Sequence, residues 1–442
     1  MARAGSGRRA REGAVTGPGT PADAPLDVAV VGAGAAGLFA ATWAGRAAAD
    51  AGASARIAAF DGARRLGAKI LVAGGGRCNV THWRVDEADY AGSTAPAIRK
   101  VLRRFGVERT VGFFAELGVE LKREDTGKLF PVTDDAHTVL DALLGAARRA
   151  GVALRHPERV ESISRDDAGF RIRTAGEEHR ARRVILCTGG KALPKSGSDG
   201  TGLAIAAGLG HRVTDHVVPS LVPLRLPDGH WITALSGLTV PAELVLRSGS
   251  GKRLASFADS TLCTHFGLSG PSVLNISRHW TMARFDDPEA RLELSWTPGL
   301  DLEAVDRALV DAKGRGIGAV LRTWLPERLM RAICAEAGLD PNATPQQLAR
   351  DRRRALAQLV AGTPLPVTGD RGFTFAEATA GGVPLAEVRL ETMESRLVPG
   401  LHLAGEVLDV DGRIGGFNFQ WAWASGFVAG TSAAAALWAP AP

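Results

Sequence analysis

Residues 26–50 read LDVAVVGAGAAGLFAATWAGRAAAD, and this stretch decides the fold. Its first six residues are almost continuously apolar, as is typical of a strand buried on both faces. Gly32, Gly34 and Gly37 follow in the spacing GxGxxG, and the small residues after them predict a helix over residues 35–49. Such glycines allow a tight turn, an approach of backbone N–H groups to a pyrophosphate, and close packing of helix on strand. The stretch therefore predicts the start of a dinucleotide-binding domain.

A second strand and an acidic residue extend this motif. Residues 55–60, ARIAAF, predict the strand, and Asp61 ends it. A carboxylate at this position accepts hydrogen bonds from ribose hydroxyls. Three features favour FAD over NAD: the acid lies further along than in many NAD enzymes, and glycine-bearing strand ends return at Thr188-Gly189-Gly190 and at Gly405-Glu406. The chain has a single GxGxxG, so we expect bound FAD and no separate nicotinamide domain.

Hydrophobic periodicity along the chain predicts an α/β protein with two inserts. Helical patterns cover 97–105, 107–117 and 136–150. Residues 152–163 and 170–174 alternate like antiparallel strands, and residues 183–187 predict another buried strand. Residues 221–266 are β-rich with a turn at 248–251, residues 302–360 are mostly helical, residues 401–404 predict a strand, and residues 420–437 predict a last helix.

We therefore expect an FAD-binding, Rossmann-like parallel sheet domain of the GR2 type, with an inserted β-rich domain and a small helical domain. The predicted units are a disordered basic tail (1–25), an FAD-binding domain in two pieces (26–195 and 370–442), a β-rich insert (196–298 and 363–369) and a helical insert (299–362).

Composition narrows the class of protein. No stretch other than the glycine-bearing run near the N-terminus approaches the ~20 apolar residues of a membrane-spanning helix. The four cysteines never form a CxxC pair, so we expect neither a disulfide framework nor a metal site, and a reducing cytoplasm fits best. The net charge of +6 permits an anionic substrate or nucleic acid without requiring one. The oligomeric state stays open.

Residues 71–82, LVAGGGRCNVTH, place three glycines directly before Arg77, Cys78 and Asn79. Three consecutive glycines are entropically costly to order, so we expect that bare backbone is needed there. The use we expect is an approach of backbone N–H groups to the flavin, with Arg77 and Asn79 fixing charge and orientation. The alternative is an ordinary flexible turn.

A series of longer motifs resembles the HI0933-like (YhiN/BaiN-type) family of bacterial flavoproteins, from residue 26 to about 435. These motifs are the glycine loop at 71–81, Gly127–Pro131, Thr188–Gly202, Thr264–Pro271, Thr379–Val383, Gly405–Gly412 and Gly415–Ala422. The resemblance implies a three-domain FAD protein that reduces an activated C=C of a ring substrate, with NADH or NADPH as transient electron donor. Members with assigned activity act on small steroid-type enones or on a uridine of 23S ribosomal RNA. A flavin-dependent hydroxylase and a non-catalytic flavoprotein are the alternatives.

The resemblance also implies the cofactor contacts. Gly32, Gly34, Gly37 and Asp61 would hold the ADP half, Arg77, Cys78 and Asn79 would lie near the flavin ring, and the C-terminal motifs would meet the ribityl chain and pyrimidine. The full expected set of cofactor-binding residues is Gly32, Gly34, Ala35, Ala36, Gly37, Asp61, Lys69, Gly75, Gly76, Arg77, Cys78, Asn79, Val160, Thr188, Gly189, Gly190, Gly405, Glu406, Gly416, Asn418 and Phe419.

Reduction of a C=C also needs a proton donor and positive charge near the developing anion. The chain offers Cys78, His82, Tyr90 and His265 as donors, and Arg77 as a source of charge. We take Cys78, Arg77 and His265 as catalytic candidates. The alternatives are a small buried hydrophobe for Cys78 and a turn-stabilising side chain for His265.

Overall fold

The structure is a computed structural model that describes residues 24–438. The predicted tail, residues 1–25, lies outside the described residues except for its last two positions. No helix within residues 24–438 is long and apolar enough to cross a membrane. All four cysteines are buried free thiols.

Strands and helices alternate in the first part of the described chain. Its elements are β1 (Leu26–Val31), α1 (Ala35–Asp50), β2 (Ile57–Phe60), α2 (Ala68–Gly76), β3 (Thr81–His82), β4 (Tyr90–Gly92), α3 (Ala95–Leu102), α4 (Val107–Glu116), β5 (Leu121–Arg123), β6 (Lys128–Pro131), α5 (Ala136–Arg149), β7 (Val152–Arg155), β8 (Val160–Asp166), β9 (Gly169–Thr174), β10 (Glu178–Leu186) and α6 (Thr201–Gly208).

The middle part is β-rich and then helical. Its elements are β11 (Val218–Ser220), β12 (Leu224–Arg225), β13 (Thr239–Arg247), β14 (Arg253–Thr264), β15 (Gly267–Ser269), α7 (Pro271–Asp286), β16 (Arg291–Ser295), α8 (Leu302–Val310), α9 (Ile317–Leu321), α10 (Glu327–Glu336), α11 (Arg350–Ala361), β17 (Thr363–Leu365) and β18 (Gly369–Asp370). The last part contains β19 (Ala378–Ala380), β20 (Val388–Arg389), β21 (Glu394–Ser395), β22 (Leu401–Leu403), β23 (Val410–Gly412) and α12 (Phe417–Trp438).

A mostly parallel sheet carries the dinucleotide motif. Strands β7, β2, β1, β10 and β22 lie side by side and parallel in this order. Every residue of β2 and β22 is buried, which explains why β2 is an apolar run and why β22 has a single polar residue, the buried His402. The predicted first strand has the bounds of β1. The Rossmann-type α/β fold class is therefore confirmed.

The prediction of antiparallel strands over residues 152–174 is wrong for its first segment. Strand β7 pairs parallel with β2, and Val152 lies beside Ile57. Only β8 and β9 form the expected antiparallel hairpin. A four-residue strand carries no sequence signal for its direction. The direction is set here by helix α5, which packs on α1 and returns the chain to the same end of the sheet.

The middle part builds a second sheet that is antiparallel, in the order β17-β16-β13-β14-β15-β12-β18. The predicted turn at 248–251 joins β13 to β14, and helices α8 to α11 occupy the segment predicted as helical. The side chains of this part form a hydrophobic core of their own, separate from the core around the parallel sheet. The domain boundaries themselves stay a prediction.

Helix α12 brings the C-terminal part of the chain against the dinucleotide motif. Glycines let it cross α1 closely, because a Cβ at Gly426 would lie 2.8 Å from the Ala36 carbonyl oxygen, and one at Gly430 would lie 2.1 Å from that of Ala40. The helix begins at Phe417, three residues earlier than predicted. The crossing holds the middle of α12, at Gly426, beside the start of α1.

Candidate cofactor site

One cavity of about 840 Å³ lies across the carboxyl ends of the parallel strands, and we call it the main cavity. This is the position at which open α/β sheets bind ligands. Segments far apart in the sequence line it: the turn after β1, the end of β2, helix α2, the turn after β10, Gly405-Glu406 and the start of α12. Tertiary folding alone brings these segments together.

The glycines of GxGxxG have the three different roles that the motif predicts. Gly32 has φ +94°, and a Cβ there would lie 2.6 Å from the Cys187 carbonyl oxygen. A Cβ on Gly37 would lie 1.7 Å from the Gly32 carbonyl oxygen, so only glycine lets α1 approach the turn. At Gly34 a Cβ would meet no atom within 4 Å and would point into open space at the cavity wall. That bare backbone leaves room for a pyrophosphate at the helix N-terminus.

Asp61 closes the same end of the main cavity. Its carboxylate accepts hydrogen bonds from the backbone N–H groups of Ala33 and Ala63, each at 2.8 Å. These bonds tie the end of β2 to the glycine turn and hold the acid at the cavity wall. A carboxylate fixed here is placed to accept hydrogen bonds from ribose hydroxyls.

Three buried polar atoms at the wall lack a hydrogen-bond partner within the described residues. They are Asn79 Oδ1, Thr188 Oγ1 and Ser198 Oγ. Buried polar atoms are seldom left unpaired, so each is a position where a polar ligand is expected to bind. Together with the open space at Gly34, they fit an extended dinucleotide with many oxygen and nitrogen atoms.

A polar chain holds part of the wall of the main cavity in place. Lys69 Nζ donates to Glu406 at 2.7 Å, and the other oxygen of Glu406 accepts from the Thr379 hydroxyl at 2.7 Å. Thr379 Oγ1 also accepts from the backbone N–H groups of Lys191 and Ala192. These bonds lock the Glu406 carboxylate into one orientation at the cavity wall.

The N-terminus of α12 forms the far end. Gly416 has φ +93°, and a Cβ there would lie 2.6 Å from the backbone carbon of Thr81, so the chain passes tightly behind the wall. The Asn418 side chain bonds both backbone groups of Gly412, accepting at 2.9 Å and donating at 3.0 Å. The first turn of this long helix, with Phe419, therefore faces the main cavity with its positive dipole end.

The glycine loop of residues 71–82 lies beside that far end. Gly74, Gly75 and Gly76 have φ of +58°, +70° and +87°, a left-handed run that favours glycine at each position. Gly74 and Gly75 line the main cavity. The Arg77 guanidinium lies 4.0 Å above the Phe130 ring and pairs with Glu124 at 2.6 Å. That hydrogen bond to Glu124 raises the pKa of Arg77, which keeps the group cationic.

Most of the expected cofactor residues line the main cavity. These are Gly32, Gly34, Ala35, Ala36, Asp61, Lys69, Gly75, Arg77, Asn79, Val160, Thr188, Gly189, Gly405, Glu406, Gly416, Asn418 and Phe419. Gly37, Gly76, Cys78 and Gly190 do not line it. Gly37 lies beneath the turn, and a Cβ on Gly190 would lie 2.4 Å from Thr379 Oγ1 and disturb the polar chain.

Two of the three catalytic candidates lie away from the cavity wall. Cys78 is fully buried in the core, and desolvation raises its pKa to about 12. Its backbone continues the left-handed run of the glycine loop at φ +59°, and the thiol packs as a small apolar side chain. His265 lines a different cleft. Only Arg77 is placed to act at the main cavity, so the structure gives no support to catalysis by Cys78 or His265.

The other two donor candidates are engaged elsewhere. The Tyr90 hydroxyl donates to the Phe417 carbonyl at 2.8 Å, and burial raises its pKa well above the ordinary value. The two ring nitrogens of His82 lie 2.7 and 3.1 Å from the carbonyl oxygens of Arg84 and Thr126. Neither side chain lines the main cavity.

Sequence reasoning missed several ionisable residues of the cavity wall. Arg159, Asp199 and Arg413 are ion-paired, and Lys128 and Glu377 are the two others. Neither forms an ion pair with a described residue within 4.0 Å. The Lys128 side chain lies beside the loop that precedes α12. A Cβ on Gly415 of that loop would lie 3.7 Å from Lys128 Cε. Glu377 is an exposed residue that lines the main cavity, and desolvation by the surrounding protein raises its pKa, against the attraction of Lys128 and Lys69. Lys128 lies within the motif Gly127–Pro131, and Glu377 lies two residues before the motif Thr379–Val383. These positions in the sequence were the available signal.

The glycine turn at a helix N-terminus, the acidic strand end and the extended cavity across parallel strands define a Rossmann-type dinucleotide-binding protein. The profile of the family described as "HI0933-like protein Rossmann domain" matches residues 26–432. The chain therefore belongs to the HI0933-like family, as its motifs predicted, and it is an FAD-dependent oxidoreductase.

Three relatives show how similar the chain is to characterised members. It is 34% identical over 411 residues to the 3-dehydro-bile acid delta(4,6)-reductase of Clostridium scindens, which covers 92% of this chain and 98% of the relative. It is 32% identical to the ribosomal RNA dihydrouridine synthase of Escherichia coli, over 90% of this chain and 96% of the relative. The corresponding synthase of Haemophilus influenzae is 31% identical, over 91% and 97% of the two chains.

Proposed function

We propose that this protein reduces an activated C=C of a ring substrate, with FAD in the main cavity and NADH or NADPH as electron donor. The observation that carries the proposal is one cavity that joins the dinucleotide turn at Gly32–Gly37 to the unpaired side chains of Lys128 and Glu377. The relatives support it, because one is named as a bile acid reductase and two as dihydrouridine synthases. Both names describe reductions of a ring C=C.

The cofactor contacts follow from the wall of the main cavity. Gly34 and the N-terminus of α1 would bind the pyrophosphate, and Asp61 would bind the adenosine ribose. Asn79, Thr188 and Ser198 would donate to or accept from the flavin half through their unpaired oxygens. The N-terminus of α12 would stabilise negative charge on the pyrimidine side of the ring.

Bound FAD would supply the hydride that reaches one carbon of the double bond. The other carbon needs a proton, and the substrate carbonyl needs a positive partner while charge builds on its oxygen. Glu377 is suited to hold and donate that proton, because its raised pKa favours the protonated carboxyl closer to neutral pH. Lys128 is suited to bind the carbonyl oxygen, since no described carboxylate neutralises it within 4.0 Å. The net reaction consumes one NAD(P)H and one proton for each saturated bond.

The decisive test of electron entry is an anaerobic titration of the purified, FAD-loaded protein with NADH and with NADPH. Loss of the oxidised flavin absorbance with either donor is the expected result. A flavin that neither donor bleaches would refute the nicotinamide part of the proposal and favour a non-catalytic flavoprotein. Rapid NAD(P)H oxidation that requires an aromatic substrate and consumes oxygen would favour a hydroxylase instead.

The roles of Glu377 and Lys128 are tested by Glu377→Gln and Lys128→Met. Both variants should retain FAD and bleach with the donor at the wild-type rate, whereas transfer from reduced flavin to an enone substrate should slow. A proton donor must be protonated, so the wild-type transfer rate should fall as pH rises through the Glu377 pKa, and Glu377→Gln should remove that dependence. Glu161→Gln on the exposed face of β8 is the matched control. An unchanged pH profile in Glu377→Gln would contradict the assignment.

Ribosomal RNA is the second candidate substrate, favoured by the two dihydrouridine synthases among the relatives. Deletion of the gene, followed by mass-spectrometric mapping of 23S RNA, distinguishes the candidates. Loss of a dihydrouridine would assign the RNA, and an unchanged profile would favour a small enone. We place the reaction in the cytoplasm, where the four free thiols would stay reduced.

A further inference from the structure

A second cleft, of about 390 Å³, shares no lining residue with the main cavity. We call it the arginine cleft, and its lining residues are Arg225, His265, Phe266, Asp370, Arg371 and Phe375. It contains His265 and Phe266 of the Thr264–Pro271 motif, which the cofactor site does not use. The cleft therefore accounts for a sequence feature that FAD binding leaves unexplained.

The arginine cleft is built on neighbouring strands of the antiparallel sheet. Arg225 on β12 lies opposite Gly267 of β15 on one side and Gly369 of β18 on the other. A Cβ on Gly267 would lie 2.3 Å from the Leu224 carbonyl oxygen, so glycine is needed for this close approach. The side chains of the cleft are thus anchored to sheet backbone rather than carried by a long loop.

Both arginines of the cleft lack an acidic partner. No described carboxylate lies within 4.0 Å of the guanidinium of Arg225 or Arg371. Asp370, the one acid in the lining, accepts from the backbone N–H of Gly372 at 2.6 Å. His265 is exposed and forms no side-chain hydrogen bond with a described residue. The lining therefore carries two arginines that form no ion pair and one carboxylate, so the cleft has a net positive charge.

Aromatic rings hold one of these arginines in place. The Arg371 guanidinium lies 3.5 Å from the centre of the Phe375 ring and 4.3 Å from that of Phe266. A stacked guanidinium keeps its N–H edge free for an oxyanion, and loses little entropy when it binds one. Phe375 is 46% exposed, so the part of its ring that Arg371 does not cover offers a surface for stacking.

The arginine cleft lies close to the reactive end of the main cavity along the backbone. Phe375 precedes Glu377 by two residues, which spans at most about 7 Å even when the chain is extended. The two sites are therefore neighbours along the chain, separated by the buried residue Ala376.

We propose that the arginine cleft binds a nucleotide, with the phosphate on Arg225 and Arg371 and the base against Phe375. Phosphate recognition by arginine edges beside an aromatic platform is the general mode for single-stranded nucleic acids and nucleotides. Two sources carry this chemistry here, an RNA substrate and the nicotinamide dinucleotide. The inference rests on the proposed function in one respect: the proposed reaction is the reason that a nucleotide must come near the flavin.

The test compares Arg371→Gln and Arg225→Gln with Arg350→Gln, an exposed arginine of α11 without an ion pair to a described residue. All three FAD-loaded proteins should keep wild-type FAD content and unfolding temperature. Two quantities are measured: the Kd for a fluorescent uridine-containing single-stranded RNA at several salt concentrations, and the concentration dependence of flavin reduction by NADPH and NADH. Loss of one charge-assisted phosphate contact should weaken binding about 10- to 150-fold.

The two arms identify the source. The cleft is assigned to RNA if the variants bind the RNA more weakly and their flavin is reduced normally. The slope of log Kd against log salt concentration should then fall by the amount expected for about one phosphate contact. A raised half-saturating NAD(P)H concentration with unchanged RNA binding assigns it to the nicotinamide dinucleotide. Arg371→Lys, which keeps the charge without the stacked fork, should weaken the same ligand less than Arg371→Gln. Wild-type values for both ligands in both glutamine variants would overturn the proposal, even if the flavin is bleached normally.

Discussion

Substitution of Gly34 by alanine should separate cofactor binding from folding. The backbone at Gly34 has φ −78° and ψ −162°, which alanine adopts without strain, and its Cβ would meet no protein atom within 4 Å. The new methyl group would instead occupy the space at the N-terminus of α1 where the pyrophosphate must approach. We therefore expect Gly34→Ala to fold normally and to bind FAD weakly.

The expected changes in unfolding free energy and in FAD affinity follow from the position of Gly34 at the N-terminus of α1. Alanine is a poorer N-cap than glycine, which costs up to about 1 kcal/mol, and the reduced freedom of the unfolded chain offsets about 0.4–1 kcal/mol of that. The free energy of unfolding of the apoprotein should thus change by less than about 1 kcal/mol. Loss of one charge-assisted N–H contact to phosphate costs about 1.5–3 kcal/mol, or roughly 10- to 150-fold in the Kd for FAD.

The assay pairs chemical unfolding of the apoprotein with titration of FAD by flavin fluorescence quenching. Gly37→Ala is the comparison for a substitution that disturbs folding. The new Cβ would lie 1.7 Å from the Gly32 carbonyl oxygen, so α1 would have to move away from the turn after β1. The free energy of unfolding of Gly37→Ala should fall by about 1–3 kcal/mol. A Gly34→Ala protein with wild-type affinity for FAD would refute the placement of the pyrophosphate at this turn.

Three further outcomes are expected. Asp61→Ala removes the acceptor for the N–H groups of Ala33 and Ala63, so the unfolding free energy should fall by about 1–3 kcal/mol and FAD affinity should fall with it; chemical unfolding and FAD titration measure both. Cys78 should resist a thiol reagent at pH 8 in the native protein and react only after unfolding, because it is buried and its pKa is raised to about 12; labelling at this residue without unfolding would contradict its placement. Burial lowers the pKa of His402 to about 4, whereas a histidine in the unfolded chain has a pKa of about 6.5. Between these two pH values the unfolded chain binds a proton that the native protein does not bind, so the free energy of unfolding should fall from pH 6.5 toward pH 4. Denaturant titrations at several pH values measure this fall, and a smaller fall in His402→Leu would identify the residue.

The sequence by itself determined the parts of this protein that rest on local backbone requirements. The GxGxxG turn, the strand before it and the helix after it were predictable because a tight turn, a close helix contact and a bare backbone each demand glycine at Gly32, Gly37 and Gly34. Buried parallel strands were visible as apolar runs, and the ordered motifs were specific enough to indicate the HI0933-like family. The direction of β7 was not predictable, because direction depends on the helix that returns the chain.

Only the tertiary structure decided which polar side chains share the cavity. Cys78 and Asn79 are adjacent in sequence, yet Cys78 packs in the core while Asn79 lines the cavity wall. Lys128 on β6 and Glu377 just before β19 come from distant segments and share that wall only through the long-range folding of the chain. His265, chosen for its chemistry, lies in the arginine cleft instead. Residue type sets what a side chain can do, but long-range packing sets which groups meet, and that information is absent from local spacing.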